Sequence, residues 1–493
     1  MKRRAWLWVL LLAVAAAAAV AVFALRRAPE AEEASQALLT AAEGLDEILI
    51  SARLDPQTRT LEVEQTLTLR NPTGLSQEAC VLRAWPNAFR SLDTSPCASE
   101  ELYDLCYPDG FSLGALVMEQ ALVDGEASAY RYLDEAQTVL SVPVAGGWAA
   151  NETITLTLRY TVYVPAAAYR FGVWEGVWAL GSAFAVPAKW EDGAWRMDEY
   201  LPIGDPFLSD CANYEVTLTV PEGYQVAGPA PHEAETLDGW TSWKFRCLAV
   251  REAAFTVYEK ASVAQGVTDG VLVSAYAANA SRAREMLEDG LHALAFYAQR
   301  YGAYPYQTLS LCEVSFPLGG MEYPCLVMLS ADSAGGEALE YETAHEVAHQ
   351  WWGVVVGSDP WYQAWQDEAL CEFSLLEYIG ERYGQARREE MEQSRVYSAL
   401  RVTVPRGVTP GAPLDVFSNL SQYTLVVYNR GAALLLALDD MLGEGLNRFL
   451  RAYYETYAFG YATREDFEAL LAQTTGEDPG PLMLDYLDTY ILN

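Results

Sequence analysis

Four histidines serve the whole 493-residue chain, and two of them stand four residues apart in His345-Glu346-Val347-Ala348-His349. Residues Glu337 to Ala344 contain neither proline nor glycine and are good helix formers, so the motif is predicted on a helix. Four-residue spacing stacks both imidazoles on one helix face about 6 Å apart, as two ligands of one tetrahedral zinc ion require. Glu346 falls about 100° further round, close enough to act on a water at the metal without binding the metal itself. In a chain with so few histidines, His-Glu-x-x-His arises by chance only a few times per roughly a thousand such chains. A third ligand must come from another element. Glu368, separated from His349 by eighteen intervening residues, is the candidate, on a helix led in by Trp361 to Ala364 and continued by Leu370, Phe373, Leu376 and Ile379 to Gly380. Two such helices packed antiparallel bring a carboxylate opposite the histidine pair. Asp367, Glu372 and Glu377 compete on composition, and spacing alone singles out Glu368. Glu342 and Asp367 are candidates for orienting a ligand histidine.

Composition narrows the field. With 32 Lys and Arg against 67 Asp and Glu the net charge is −35, so a polyphosphate is repelled and no nucleic-acid partner is expected. No lysine completes a Gly-x-x-x-x-Gly-Lys-Ser/Thr loop, which excludes a P-loop nucleotidase. A chain 51% hydrophobic and 20% charged is globular and long enough for several cores.

The elements that must position the chemistry follow from periodicity. Lys2, Arg3 and Arg4 precede an uncharged run from Ala5 to Leu25, closed by Arg26 and Arg27. That run makes a helix of about 31 Å, the thickness of a bilayer core, and residues 1–27 are read as an uncleaved signal anchor. The remaining chain is then expected outside the cytoplasm, on a single-pass cell-membrane protein. Residues 28–44 form a linker, as a stalk or short helix. From residue 45 the period is two. Leu61, Val63, Leu67 and Leu69, then Ile154, Leu156, Leu158, Tyr160 and Val162, then Tyr214, Val216, Leu218 and Val220 alternate with polar partners. These predict antiparallel strands of a β domain over 45–265. Near residue 280 the period becomes helical, with Ser281 as cap and Gly302 as stop. Short strands follow around 308–314 and 324–329, and helices dominate the rest of a second domain, 266–493. Eight cysteines include no Cys-x-x-Cys pair, which argues against a zinc ribbon. Cys97 with Cys106 and Cys211 with Cys247 are candidate bridges, with buried free thiols an equal alternative.

His345 to Gly353 (His-Glu-Val-Ala-His-Gln-Trp-Trp-Gly), with Glu368 following His349 after eighteen intervening residues, resembles the aminopeptidase N family of gluzincin metallopeptidases, which includes leukotriene hydrolase. Gly319-Gly320-Met321-Glu322-Tyr323 is similar to that family's Gly-Ala-Met-Glu-Asn motif, and Tyr428-Asn429-Arg430-Gly431 to its Tyr-x-Lys-Gly element. The departures are Asp367 for Asn, Ala369 for Gly, Tyr323 for Asn and Arg430 for Lys. The resemblance implies a multidomain α and β protein, with an N-terminal β domain on a thermolysin-like α+β catalytic domain whose C-terminal part is mainly helical. It implies one zinc per chain on His345, His349 and Glu368, with Glu346 as general base and Tyr428 stabilising the oxyanion. Glu322 would hold the α-ammonium of a peptide with a free N-terminus, on a substrate-binding stretch that includes Gly319, Gly320 and Met321. Two alternatives stay open: zinc-dependent hydrolysis of a non-peptide electrophile such as an epoxide, and a non-catalytic surface protein with a vestigial site.

Overall fold

The computed structural model describes residues 29–228 and 231–489. The anchor expected over residues 1–27 lies outside the described residues, among which no helix is long and apolar enough to cross a membrane. The segment that follows folds as helix α1 (Pro29–Ala42), which buries Ala31, Leu38 and Ala42. Its C-terminal carbonyl, Ala42 O, accepts a 2.9 Å bond from the Asn213 side chain, tying the helix to the sheet behind it.

Alternating apolar residues build the N-terminal half. Strands β1 (Glu47–Asp55), β2 (Thr60–Arg70), β3 (Ala115–Val123), β4 (Glu126–Ser128), β5 (Thr153–Tyr163), β6 (Ala212–Pro221), β7 (Pro231–Leu237) and β8 (Trp240–Val250) form one sheet in the order β7-β8-β6-β1-β2-β5-β3-β4. Every second residue of β2 and β5 is buried, including Leu61, Leu67, Ile154, Leu156 and Val162, as a half-covered sheet demands. One pairing departs from the antiparallel expectation: β1 runs parallel to β6, from Glu47 opposite Asn213 to Arg53 opposite Thr219. Periodicity reads each strand alone and carries no direction, and a long crossover, unlike a hairpin, leaves no turn residues to reveal it. Two four-stranded sheets lie beside it, one of them containing Phe171–Trp174, Val177–Leu180, Gln225–Ala227 and Phe255–Tyr258.

The second half opens with a five-stranded sheet, β9 (Ser262–Thr268), β10 (Val271–Ala277), β11 (Thr308–Val314), β12 (Gly320–Tyr323) and β13 (Leu326–Ser330), in the order β9-β10-β11-β13-β12. Helix α2 (Ala280–Tyr301) crosses over between β10 and β11, which pair in parallel. Its cap is Asn279, whose Oδ1 accepts from the backbone of Ser281 and Arg282, so the predicted cap at Ser281 falls two residues inside the helix. Asparagine outranks most residues there because its short side chain reaches two orphan N–H groups. Helices α3 (Glu337–Ala348), α4 (Trp365–Tyr383), α5 (Gln385–Met391), α6 (Gly431–Leu442), α7 (Glu444–Tyr457) and α8 (Arg464–Thr475) complete the fold. α3 is held between α2 and α4. Its Leu339, Ala344, Val347 and Ala348 are fully buried, and Tyr297 of α2 donates to Ala344 O at 2.9 Å. Trp351 and Trp352, just beyond it, are core residues whose indole N–H groups reach Gly302 O and Ser374 Oγ.

Candidate metal centre and substrate site

The helical reading of the histidine motif holds to its last residue. α3 ends at Ala348, yet His349 keeps helical dihedrals (φ −57°, ψ −22°), so both imidazoles face the same way. His345 Nε2 and His349 Nε2 lie 3.2 Å apart. Glu368, in the first turn of α4, places Oε2 3.4 Å from His345 Nε2 and 3.3 Å from His349 Nε2. Donors bound at ~2.0–2.2 Å to one tetrahedral centre stand about 3.4 Å from one another, so this triangle has the dimensions zinc needs. Glu368 Oε2 is buried and makes no hydrogen bond, the mark of a donor kept for a cation. His345, His349 and Glu368 are 8%, 1% and 3% exposed, so the cradle is already dry.

Two carboxylates hold the imidazoles from behind. Asp367 Oδ1 lies 2.6 Å from His349 Nδ1, and Glu372 Oε2 lies 3.6 Å from His345 Nδ1. Arg395 in turn grips Glu372 through both oxygens. Burial alone would push the Glu372 carboxyl up, but Arg395 and His345 bring it down to about 2, so it stays ionised. Asp367 thus orients a histidine as the sequence suggests, whereas Glu342 does not. Glu342 lies three residues before His345, where its neighbours are Ser333 and Arg282. Glu372, which the sequence offers only as a rival ligand, is the second carboxylate behind the imidazoles. It follows Glu368 by one helical turn, so the i,i+4 rule that groups the histidines could have placed it on the ligand face.

Glu346 sits beside the donor triangle, 7% exposed, with Oε2 unbonded. Burial, with Glu368 and Asp205 adding and the two imidazoles opposing, pushes its carboxyl up to about 7. Gly320 explains how that side chain fits: a Cβ there would stand 2.4 Å from the Glu346 carboxyl, so β12 can pass this close only as glycine. Gly319 takes φ +92° to lead the chain in. Glu322, two residues on, places Oε1 4.0 Å from His349 Nδ1. Burial pushes its carboxyl well above the usual range; His349 opposes this, and Asp205, Glu346 and Asp367 add to it. Met321 lines the cavity next to Glu322, its sulfur 3.0 Å from the buried Arg170 guanidinium.

Tyr428 lies in a π-helical stretch, Thr424–Arg430, of the kind that often marks functional sites. Its ring is parallel to the His345 imidazole, with centroids 5.5 Å apart. Burial first, then the negative charge of Glu368, pushes its phenol well above the usual range, so it stays protonated. The family departures also acquire reasons. Gly431 abuts Ala369, where a Cβ would meet the alanine methyl at 2.7 Å. Arg430 donates to the carbonyls of Ala399 and Val402, a structural anchor. Tyr323 turns inward beneath Gly181. Of the candidate bridges, Cys97 and Cys106 are both fully buried, and Cys247 is paired across from Tyr214 rather than Cys211. All eight cysteines are free.

Comparison with known proteins bears on the family. Residues 285–486 match the peptidase family M1 domain, so the resemblance to the aminopeptidase N family drawn from the three motifs holds. The chain is similar to aminopeptidase N of Lactobacillus helveticus, 30% identical over 258 residues that make up 48% of this chain and 30% of that protein. It is also similar to leukotriene A-4 hydrolase of Xenopus laevis, 32% identical over 175 residues, or 33% and 28% of the two chains. The chain thus matches under a third of the length of these relatives. In fold it is similar to an M1 zinc metallopeptidase from Deinococcus radiodurans, with TM-score 0.65 and 17% identity over 91% of this chain and 94% of that one. A variant of that protein was crystallised with a Tyr-Ser-Ala substrate.

Proposed function

We propose that this chain is a zinc aminopeptidase with a thermolysin-like catalytic domain, tethered to the cell membrane by its N-terminal segment with the catalytic part outside the cytoplasm. The observation that carries the chemistry is the triangle of donors from His345, His349 and Glu368, 3.2–3.4 Å on each side, with the free carboxylate of Glu346 beside it. Zinc held there supplies Lewis acidity, which polarises a peptide carbonyl and makes water nucleophilic near neutral pH.

The protein's own groups do the rest. Glu346 accepts the proton of the attacking water and passes it to the departing amine, its buried carboxylate oxygen being unengaged by any other group. Tyr428 donates its phenolic hydrogen to the oxygen on which charge develops. Glu322 pairs with the substrate α-ammonium, which fixes the scissile bond one residue from the N-terminus. Asp367 and Glu372 hold the histidine rings so that no reorganisation is needed at the moment of reaction. Peptides with a free N-terminus are therefore the substrates.

The test is hydrolysis of aminoacyl p-nitroanilides by the purified full-length chain. Activity should vanish with chelator, return with zinc, and fall about 10²–10⁴-fold in Glu346→Gln. Unchanged turnover in that variant would overturn the mechanism.

A further inference from the structure

Beyond the donor triangle, on the side of Glu322, a cavity opens between the two halves of the chain, with Asp205, Glu252, Glu322 and Asp367 among its walls. Four carboxylates in one cavity invite an account of what neutralises each. Asp205 is ion-paired with the buried Arg170. Asp367 is engaged with His349. The cation on the wall, Arg251, is spent on backbone: its guanidinium donates to the carbonyls of Ser209, Gly353, Val354 and Gly460. Glu322 is the α-ammonium anchor. That leaves Glu252, in the turn between β8 and the strand Phe255–Tyr258. Its hydrogen-bond partner is the Ser182 hydroxyl at 3.3 Å, and no described lysine, arginine or histidine pairs with it. Burial pushes its carboxyl up to about 7, with the Ser182 hydroxyl and the charge of Arg170 opposing.

We infer that this cavity receives the cationic side chain of an N-terminal lysine or arginine, and that Glu252 is the specificity-determining carboxylate which pairs with it. The inference rests on the aminopeptidase reading, since Glu322 must first hold the α-ammonium at the cavity's edge. The rest of the lining suits the same ligand. Phe207, Met321 and Tyr461 offer apolar surface for the methylene stem of a lysine or arginine, while the charged head reaches the acid. A neutral side chain would leave a partly desolvated carboxylate without a partner, which selects against it. Nothing in the sequence marks Glu252, one acid among 67, because its place in the same cavity wall as Glu322 is created by packing between the two halves.

The experiment compares kcat/KM for lysyl, arginyl, norleucyl and leucyl p-nitroanilides, using the zinc-loaded full-length chain and its Glu252→Gln and Glu252→Asp variants. Norleucine matches the stem of lysine without its charge. The native protein should favour lysyl over norleucyl by at least about tenfold, the scale of one hydrogen bond to a charged group. Glu252→Gln should abolish most of that preference while norleucyl and leucyl rates stay within about twofold, and Glu252→Asp should restore part of it. A native preference for norleucyl, or a uniform loss on all four substrates in Glu252→Gln, would overturn the assignment; the second result would make Glu252 a further α-ammonium anchor. Absence of hydrolysis of all four by the native zinc-loaded chain would instead sink the aminopeptidase reading. Should Glu252→Gln fail to fold, calorimetric binding of lysinamide and norleucinamide to the native chain reads the same preference, and equal affinities would refute it.

Discussion

Replacing Asp367 tests whether the carboxylate behind His349 sets zinc affinity. The 2.6 Å contact with His349 Nδ1 fixes which ring nitrogen faces the donor triangle and raises its basicity. Deleting such a partner costs ~10–100-fold in metal affinity, or about 1.4–2.7 kcal/mol. Asp367→Ala should therefore weaken zinc binding by that factor. Asp367→Asn keeps an oxygen acceptor at the same place but loses its charge; neutral bonds are about half as strong, so a loss of about three- to tenfold is expected. Glu342→Gln is the internal control, since Glu342 lies near Ser333 and Arg282 rather than either imidazole, and its affinity should match the native value. The assay is competition with a fluorescent zinc chelator near neutral pH, with the thermal midpoint of each metal-free variant confirming that it is folded. If Asp367→Ala binds zinc as tightly as the native chain, the carboxylate does not act through His349 and the reasoning fails.

Tyr428→Phe should lower kcat by ~10²–10³ with little change in KM, because the lost hydrogen bond forms only as charge develops; an equal rise in KM would point to substrate binding instead. Gly320→Ala introduces a methyl where the Glu346 carboxyl now lies, so kcat should drop by about 10² while one zinc per chain is retained; a fully active variant would contradict the packing. Asp289 of α2 is buried near Glu340, and burial first, then that neighbour, raises its carboxyl to about 7. Its proton is thus held more tightly in the fold than in the unfolded chain, so the native protein loses stability as pH rises from about 4 to 7. Asp289→Asn should remove that slope and gain roughly 2 kcal/mol above neutrality, half the full shift to allow for screening by water, and gain nothing near pH 4. Urea unfolding of the two proteins at both ends of the range checks this, and parallel pH profiles would refute it.

The metal centre was legible because its geometry is local. A helical turn fixes His345 against His349, and the eighteen-residue span brings Glu368 to the facing helix with no longer-range information. Glu322 and Tyr428 are a different matter. One comes from a hairpin strand and the other from a π-helical turn, and only the resemblance of their motifs placed them at the site. Asp205 and Glu252 were invisible because they sit on turns of the β half, and their approach to Glu322 depends on how the two halves pack. The same limit explains β1, whose alternation declared a strand but not its parallel partner. At Ser281 the cap lies two residues earlier, at Asn279, because Asn and Ser cap about equally well and the sequence alone does not fix which of them the first turn of the helix uses.

Crystals of the zinc-loaded protein, measured on both sides of the zinc absorption edge, test the central claim most directly. A single anomalous peak within ~2.0–2.2 Å of His345 Nε2, His349 Nε2 and a Glu368 carboxylate oxygen is the expected result. A peak bound elsewhere, or none at that triangle despite zinc in the crystal, would contradict it.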